Sequence, residues 1–201
     1  MDITIQPGKL GGCVTAIPSK SQAHRLLICA AFAQGETKLF CPETNEDIEA
    51  TAACLNALGA KIARHSWGYQ VCPAESCPET AVLPVNESGS TLRFLLPVAG
   101  ALGVKATFVL KGRLPQRPLS PLWEEMERMG CTLTRPTADT IRCQGKLRGG
   151  DYFIDGGISS QFITGLLFAG ALIPGMTKIT VTGRMESKPY IAMTQDALAL
   201  F

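Results

Sequence analysis

The stretch "PSKSQAHRLLICAAFAQG", residues 18–35, decides the fold because it opens with cations and then becomes an unbroken apolar run. Lys20, His24 and Arg25 lie at its head, and no further charged residue occurs before Gly35. A helix that is apolar on every side is buried on every side. Cations that are confined to its start therefore indicate a buried helix whose N-terminus faces a ligand.

The same pattern occurs twice more, as "NESGSTLRFLLPVAGALG" at 86–103 and "SSQFITGLLFAGALIPG" at 159–175. The glycines that close the three stretches lie 68 and 72 residues apart. A β-type run precedes each stretch ("CVTAI", "AVLPV", "YFIDGG"), and another follows it ("ETKLF", "VKATFVLKG", "MTKITVTG"). Self-similarity at a fixed period indicates a repeat architecture.

Amphipathic helices complete the repeat, with glycine stops at Gly59 and Gly130 that lie 71 residues apart. The sequence therefore predicts an α/β (α+β) fold of βαβαββ units with three buried parallel helices and amphipathic helices outside them. The predicted units are about 13–81, 82–150 and 151–201.

The third unit is expected to be incomplete. The segment "KPYIAMTQDALALF", residues 188–201, starts the outer helix for the third time. On the period of the repeat its closing glycine would be residue 202, one position past Phe201. The alternative interpretation is a natural end at which this helix is a C-terminal cap.

The composition narrows the function classes. The net charge of +2 over 201 residues gives no bulk electrostatic reason to bind nucleic acid or a membrane. No apolar run reaches the ~18 residues of a membrane span, and "MDITIQPGKLGG" has no signal-peptide core, so we expect a cytoplasmic chain. The eight cysteines contain no CxxC pair, which argues against a disulfide framework and a metal site.

The three serine-bearing turns predict a site for a small molecule with more than one anionic group. A helix N-terminus presents free N–H groups and a positive dipole end, and Arg25 and Arg93 fall near two such starts. A single serine there is most often only an N-cap, but three related turns favour a ligand. Basic loops follow at Arg113 and Arg117 and at Arg184, Lys188 and Tyr190, whereas the matching loop of the first unit, "CPETNEDIE", is acidic. We interpret His24 and His65 as surface or capping residues.

Five motifs together resemble the 5-enolpyruvylshikimate-3-phosphate (EPSP) synthase family: "PSKSQAHR", "SGSTLRF", "LPQRPL", "DGGISSQFITGLL" and "ESKPYI". The resemblance implies the inverse α/β barrel domain of the enolpyruvyl transferases, with residues 1–12 crossing to a second domain and residues 13–201 forming most of the N-terminal domain. It implies transfer of the enolpyruvyl (carboxyvinyl) group of phosphoenolpyruvate to the 5-hydroxyl of shikimate 3-phosphate, in chorismate and aromatic amino acid biosynthesis. It implies no metal, no organic cofactor and inhibition by glyphosate. Without the missing C-terminal domain, we expect this chain to lack turnover but to bind shikimate 3-phosphate.

The resemblance also implies roles for individual residues. Lys20 would be catalytic and would contact both substrates. The residues implied for shikimate 3-phosphate are Lys20, Ser21, Arg25, Ser159, Ser160, Gln161, Ser187 and Tyr190. The residues implied for phosphoenolpyruvate are Lys20, Gly89, Arg93, Arg117 and Gln161.

The chain departs from the family pattern at Glu87, where Asn is frequent, and we assign Glu87 no role. One alternative is the related enzyme that acts on UDP-N-acetylglucosamine, which usually has Asn after the first-turn lysine and a Cys in the loop before Arg-Pro. Here Ser21 follows Lys20, and "GRLPQRP" contains no Cys. A second alternative is a non-catalytic anion-binding module with the same repeat.

Overall fold

The structure has the alternation of strands and helices that the repeat predicts. It is a computed structural model that describes residues 3–9, 11–14 and 16–201. In chain order the elements are α1 (Lys20–Ala31), β1 (Thr37–Phe40), α2 (Glu46–Ala57), β2 (Lys61–His65), β3 (Gly68–Cys72), β4 (Thr80–Asn86), α3 (Gly89–Leu102), β5 (Lys105–Leu110), α4 (Leu122–Arg128), β6 (Cys131–Thr137), β7 (Thr140–Gly145), β8 (Gly150–Asp155), α5 (Ser160–Leu172), β9 (Thr177–Thr182) and α6 (Lys188–Ala199). A short 3-10 helix, Leu114–Gln116, lies between β5 and α4.

Helices α1, α3 and α5 are the three predicted apolar helices, and their side chains supply much of the core. Leu95 and Leu96 of α3 are fully buried, as the absence of a polar face predicts. Helix α5 packs directly on α3 at Gly165, where an added Cβ atom would lie 2.2 Å from the backbone oxygen of Arg93. The close approach of these two helices therefore depends on a glycine.

Helices α2, α4 and α6 are the predicted outer helices. In α2, the side-chain oxygen of Asn45 accepts hydrogen bonds from two backbone N–H groups of the first turn, while Ile48 and Leu55 are buried against the core. Gly59 and Gly130 follow α2 and α4 with φ angles of 110° and 114°, in the left-handed region that glycine tolerates. The predicted glycine stops of the outer helices are confirmed.

Within the residues that the structure describes, the strands form three sheets, ordered β1-β3-β2, β4-β5-β7-β6 and β8-β9. In the second unit β4 pairs parallel with β5, and β5 pairs antiparallel with β7 of the β6–β7 hairpin. The third unit repeats the parallel pair as β8 and β9. The first unit repeats the hairpin, because β3 pairs antiparallel with both β1 and β2.

The leading strand predicted for the first unit, at 13–17, is not formed by its described residues, and Thr15 lies outside the described residues. Val14 and Ile17 are exposed, and a groove of about 430 Å³ runs between β1 and α1 on that side. Between the second and third units, the backbone N–H of Leu147 donates a hydrogen bond to the Gly100 oxygen shortly before β8 begins. A β-type composition forms a strand only when such contacts bring it to a partner, and the described residues before α1 have none.

Two of the predicted helix stops are also wrong. Gly103 does cap α3 in the left-handed conformation, but α1 ends at Ala31 and α5 at Leu172, several residues before their glycines. The final carbonyl of α1 accepts a hydrogen bond from the backbone N–H of Ala74 in a neighbouring segment. In α5, Pro174 forces the preceding residue into an extended conformation, which ends the helix.

Candidate anion-binding site

The starts of α1, α3, α5 and α6 meet at one cleft of about 380 Å³. Its lining residues are Lys20, Ser21, Arg25, Ser90, Phe94, Ile158, Ser159, Ser160, Gln161, Ser187 and Tyr190. The cleft thus contains every residue that the sequence analysis assigned to shikimate 3-phosphate. Three of the helix starts carry a serine N-cap, at Ser19, Ser88 and Ser159, each accepting a hydrogen bond from a backbone N–H of its own first turn.

Arg25 is the buried cation of this cleft. The residue is 2% exposed, and its guanidinium donates to the Thr194 and Thr164 hydroxyls, at 2.8 and 3.3 Å, and to the backbone oxygens of Ser21 and Tyr190. Among the described residues it has no carboxylate partner. Burial lowers the pKa of Arg25, but an arginine remains charged. Neutral oxygens and the rings of Phe94 and Tyr190 contact this buried positive charge, which makes the cleft attractive to an anion.

A second group of cations surrounds the start of α3. An added Cβ atom at Gly89 would lie 3.0 Å from Nη1 of Arg117 and 3.2 Å from Nη1 of Arg93. Arg93 also donates to the Gln161 side-chain oxygen at 2.7 Å, and the Gln161 amide donates to the Ser90 hydroxyl at 2.9 Å. Burial and the nearby Arg117 charge lower the pKa of Arg93. The structure therefore brings Gly89, Arg93, Arg117 and Gln161 together.

Lys20 joins the cleft to an acidic residue that the sequence analysis did not single out. Its ammonium group lies 2.7 Å from a carboxylate oxygen of Asp47, with both side chains partly exposed. Asp47 belongs to the first turn of α2, in the acidic loop that breaks the basic pattern. The acidic loop of the first unit could have identified Asp47. It occupies the repeat position at which the other two units have basic loops, and it faces the lysine of its own unit.

His24 is not a surface or capping residue, because it is completely buried. Its Nδ1 lies 2.7 Å from the hydroxyl oxygen of Thr51, and its ring meets Phe94 edge-on at 6.2 Å. Burial lowers its pKa from 6.5 to about 4; the negative charge of Asp47 opposes this shift, and the positive charges of Lys20 and Arg25 add to it. The sequence did not predict the burial of His24, because a single polar residue at the start of an apolar helix can be either exposed or buried.

The Glu87 side chain contacts the loop that follows β5. Its carboxylate accepts a hydrogen bond from the backbone N–H of Arg113 at 3.0 Å and covers Gly112, which has a φ of 54°. This contact holds the loop that leads to Arg117. The Ser187 backbone, at the start of α6, also lies in the left-handed region, with a φ of 55°.

The comparisons with known proteins identify the family of this chain. The family model described as EPSP synthase (3-phosphoshikimate 1-carboxyvinyltransferase) matches residues 5–201. The chain belongs to the EPSP synthase family. The resemblance predicted from the five motifs is therefore confirmed.

Among curated members of the EPSP synthase family, similar proteins come from Clostridium species. The 3-phosphoshikimate 1-carboxyvinyltransferase of Clostridium beijerinckii is 40% identical over 209 aligned residues, which cover 100% of this chain and 48% of the relative. The enzyme of the same name from Clostridium kluyveri is 39% identical, with 99% and 47% covered. The chain thus spans about half the length of the curated relatives that it matches.

Solved structures confirm the fold. An EPSP synthase structure from Acinetobacter baumannii superposes with a TM-score of 0.72 at 22% identity, covering 92% of this chain and 42% of that one. A second structure from the same organism gives a TM-score of 0.71. At this identity the likeness carries the inverse α/β barrel domain fold and nothing further.

Three further properties concern the described part of the chain. None of its helices has the length and apolar character needed to cross a membrane. Within residues 3–9, 11–14 and 16–201, no three His, Cys, Asp or Glu side chains are grouped to hold a metal ion. Cys29 and Cys54 pack in the core, where burial raises the pKa of each thiol to about 12.

Proposed function

We propose that this chain is the N-terminal portion of a 3-phosphoshikimate 1-carboxyvinyltransferase. The observation that carries the proposal is the cleft at the helix starts, where the buried Arg25 has no carboxylate partner within the described part of the chain and a second arginine group lies beside it. Two adjacent cationic regions suit a reaction between two anionic substrates, shikimate 3-phosphate and phosphoenolpyruvate. Membership of the family supports the same pair.

Shikimate 3-phosphate would occupy the cleft. Arg25 and Lys20 would supply the positive charge for its phosphate and carboxylate groups, since charge-assisted hydrogen bonds are the stronger ones. The hydroxyls of Ser21, Ser159, Ser160 and Ser187 would donate to its oxygens, with Gln161 beside them. Tyr190, which is 47% exposed, would pack against the ring.

Phosphoenolpyruvate would bind at the start of α3. The absence of a side chain at Gly89 leaves the backbone open to its phosphate group, and Arg93 and Arg117 would grip the anion from two sides. Gln161 contacts both Arg93 and Ser90, so it would link the two substrate positions.

Lys20 would act as the catalytic residue of this half. The 5-hydroxyl oxygen of shikimate 3-phosphate adds to C2 of phosphoenolpyruvate as the hydroxyl loses its proton and C3 gains one. Loss of a proton from C3 and of phosphate from C2 then leaves the enolpyruvyl ether. An ammonium group between the two anions would neutralise charge that develops during addition, and holding both substrates at fixed positions would lower the entropic cost. Asp47 would orient Lys20 through their 2.7 Å ion pair.

The remaining function would come from the partner half. We propose that residues 1–12 cross to the C-terminal domain, that residues 13–201 form the N-terminal domain, and that the chain works in the cytoplasm. Alone, it is expected to bind shikimate 3-phosphate without turnover.

Calorimetric titration tests the proposal. Shikimate 3-phosphate should bind to the chain, and UDP-N-acetylglucosamine should not. The reverse preference would assign the chain to the related UDP-N-acetylglucosamine enzyme, and binding of neither would argue against a substrate cleft.

A matched pair of loop variants tests the second subsite. Arg117→Ala should weaken binding of phosphoenolpyruvate by about 10-fold, which corresponds to about 1.4 kcal/mol. Arg113→Ala, an exposed arginine of the same loop, should leave the affinity nearly unchanged. Equal effects of the two substitutions would contradict the assignment of Arg117.

A further inference from the structure

Four buried polar side chains form a hydrogen-bonded series, which we call the hydroxyl chain, from α1 through α2 to the start of α3. His24 Nδ1 lies 2.7 Å from the Thr51 hydroxyl oxygen, which lies 2.7 Å from that of Thr91. Thr91 is in turn 2.7 Å from the hydroxyl oxygen of Ser88, the N-cap of α3. Each of the four residues is at most 1% exposed.

The hydroxyl chain also contacts Asp47, the ion-pair partner of Lys20. The Thr91 hydroxyl lies 3.3 Å from the backbone oxygen of Asp47, whose carboxylate forms the ion pair with Lys20. The backbone N–H of Thr91 donates to the Ser88 hydroxyl oxygen at 3.3 Å. Through these contacts the starts of α1, α2 and α3 are connected by hydrogen bonds without any intervening charge.

The ring nitrogen of His24 that carries the proton determines which way the hydrogen bonds of the hydroxyl chain run. His24 is neutral near pH 7, since burial lowers its pKa to about 4, so one ring nitrogen donates and the other accepts. Its Nε2 is buried and has no hydrogen-bond partner among the described residues. Buried N–H groups without an acceptor are rarer than unused lone pairs, which places the proton on Nδ1.

With the proton on Nδ1, all hydroxyls point the same way. His24 donates to Thr51, Thr51 donates to Thr91, and the single hydroxyl proton of Thr91 goes to the Ser88 oxygen, which at 2.7 Å is nearer than the Asp47 backbone oxygen at 3.3 Å. The Ser88 oxygen then accepts from both the hydroxyl and the backbone N–H of Thr91, which secures the α3 cap. With the proton on Nε2, Thr51 would donate to His24 and Thr91 to Thr51, so the Ser88 oxygen would no longer accept from the Thr91 hydroxyl.

We propose that His24 is a positioning residue that, as the Nδ1–H tautomer, directs this hydroxyl chain and thereby holds Gly89 at the start of α3 in register with Lys20 and Asp47. The proposal rests on the proposed function, because it assigns the start of α3 to phosphoenolpyruvate. It adds a buried residue, remote from the ligand, that sets the geometry between the two substrate positions.

The first test reads the tautomer and needs no ligand. Long-range nitrogen–proton correlation spectra of the ¹⁵N-histidine-labelled chain distinguish the two tautomers, and the spectrum of His24→Asn assigns the signal against that of His65. We expect the Nδ1–H form at pH 7. An Nε2–H form would overturn the proposal, even if the proposed function holds.

The second test compares variants by titrating amide chemical shifts with phosphoenolpyruvate. His24→Leu removes the donor, whereas His24→Asn keeps an N–H close to the position of Nδ1. We expect about a 10-fold loss of affinity for His24→Leu, equivalent to about 1.4 kcal/mol, and recovery to near the unsubstituted value for His24→Asn. A purely structural role would not be rescued in this way, so equal affinities of the two variants would refute the proposal.

Thr51→Val provides a further variant in case His24→Leu does not fold, since it interrupts the chain while leaving the imidazole in place. It should weaken phosphoenolpyruvate binding about as much as His24→Leu does. It should weaken shikimate 3-phosphate binding less, because none of the four side chains of the hydroxyl chain lines the cleft. Unchanged affinity for phosphoenolpyruvate would overturn the proposal. If the unsubstituted chain does not bind phosphoenolpyruvate, the proposed function is wrong at this subsite, and the tautomer still decides the role of His24.

Discussion

At the scale of single residues, Gly89 controls the space at the start of α3. The atoms nearest to an added Cβ are the guanidinium ends of Arg117 and Arg93, at 3.0 and 3.2 Å. Long arginine side chains can shift by a few tenths of an ångström, so a methyl group would narrow the subsite without unfolding the helix. The helical start also tolerates alanine well.

We therefore predict that Gly89→Ala, in the chain reassembled with its C-terminal half, weakens inhibition by glyphosate more than it weakens use of phosphoenolpyruvate. The larger inhibitor should lose at least about 10-fold in affinity, or about 1.4 kcal/mol. Steady-state inhibition constants and KM values measure the two effects. An unchanged inhibition constant for glyphosate would contradict the prediction.

His24 makes stability depend on pH. Its pKa is lowered from 6.5 to about 4 in the folded chain, first by burial, with Lys20 and Arg25 adding to the effect and Asp47 opposing it. Between these two values the unfolded chain binds a proton that the folded chain does not, so stability falls as the pH falls.

The predicted loss from this group is on the order of 3 kcal/mol between pH 6.5 and 4, at about 1.4 kcal/mol per pH unit. Urea denaturation at several pH values should show that His24→Asn loses less stability in this window than the unsubstituted chain. Carboxylates with lowered pKa values, such as Glu125, contribute equally to both proteins and cancel in the difference. Parallel pH profiles would show that His24 does not titrate in this way.

At the scale of elements, the packing of α5 on α3 places Gln161 against Arg93. An added Cβ atom at Gly165 would lie 2.2 Å from the backbone oxygen of Arg93, and backbone cannot move aside as a side-chain end can. Gly170 lies later in the same helix, where the nearest atom to an added Cβ is 3.5 Å away. The two glycines therefore form a matched pair.

We predict that Gly165→Ala destabilises the chain by about 1–3 kcal/mol, the usual cost of overpacking. Gly170→Ala should be neutral or stabilising by about 0.5–1 kcal/mol, because alanine favours the helix. Thermal and urea unfolding of both variants measures these changes. Similar stabilities for the two would mean that α3 and α5 do not meet closely at Gly165.

The sequence predicted the helices better than their surroundings, for a physical reason. Charge-free runs fix the buried helices locally, and the polar turns before them fix where they begin. The polar partners of those turns come from other elements: Asp47 of α2 meets Lys20, and Thr51 meets His24. Such pairings depend on how helices pack, which a single repeat pattern does not specify.

At the scale of the whole molecule, the units differ in completeness. The second unit has both the parallel strand pair and the hairpin, the first has no leading strand among its described residues, and the third has the parallel pair alone. Local composition predicted a strand at 13–17, but a strand also needs an edge brought next to it. The strand β1 keeps an open edge beside the groove, where Phe40 is 78% exposed.

Turnover is expected only in the protein that this chain would form with its C-terminal half. The chain spans about half of its relatives, and the cleft of about 380 Å³ opens to solvent, with only positioning groups and Lys20 on its surface. We predict no phosphate release from the isolated chain with shikimate 3-phosphate and phosphoenolpyruvate, and measurable release after addition of the separately expressed C-terminal half.

Lys20→Met in the reassembled enzyme should abolish turnover, whereas Lys105→Met, a lysine paired with Glu79 away from the cleft, should not. Turnover by the isolated chain would show that its own residues suffice for the chemistry, and equal loss in both lysine variants would remove Lys20 from its catalytic role.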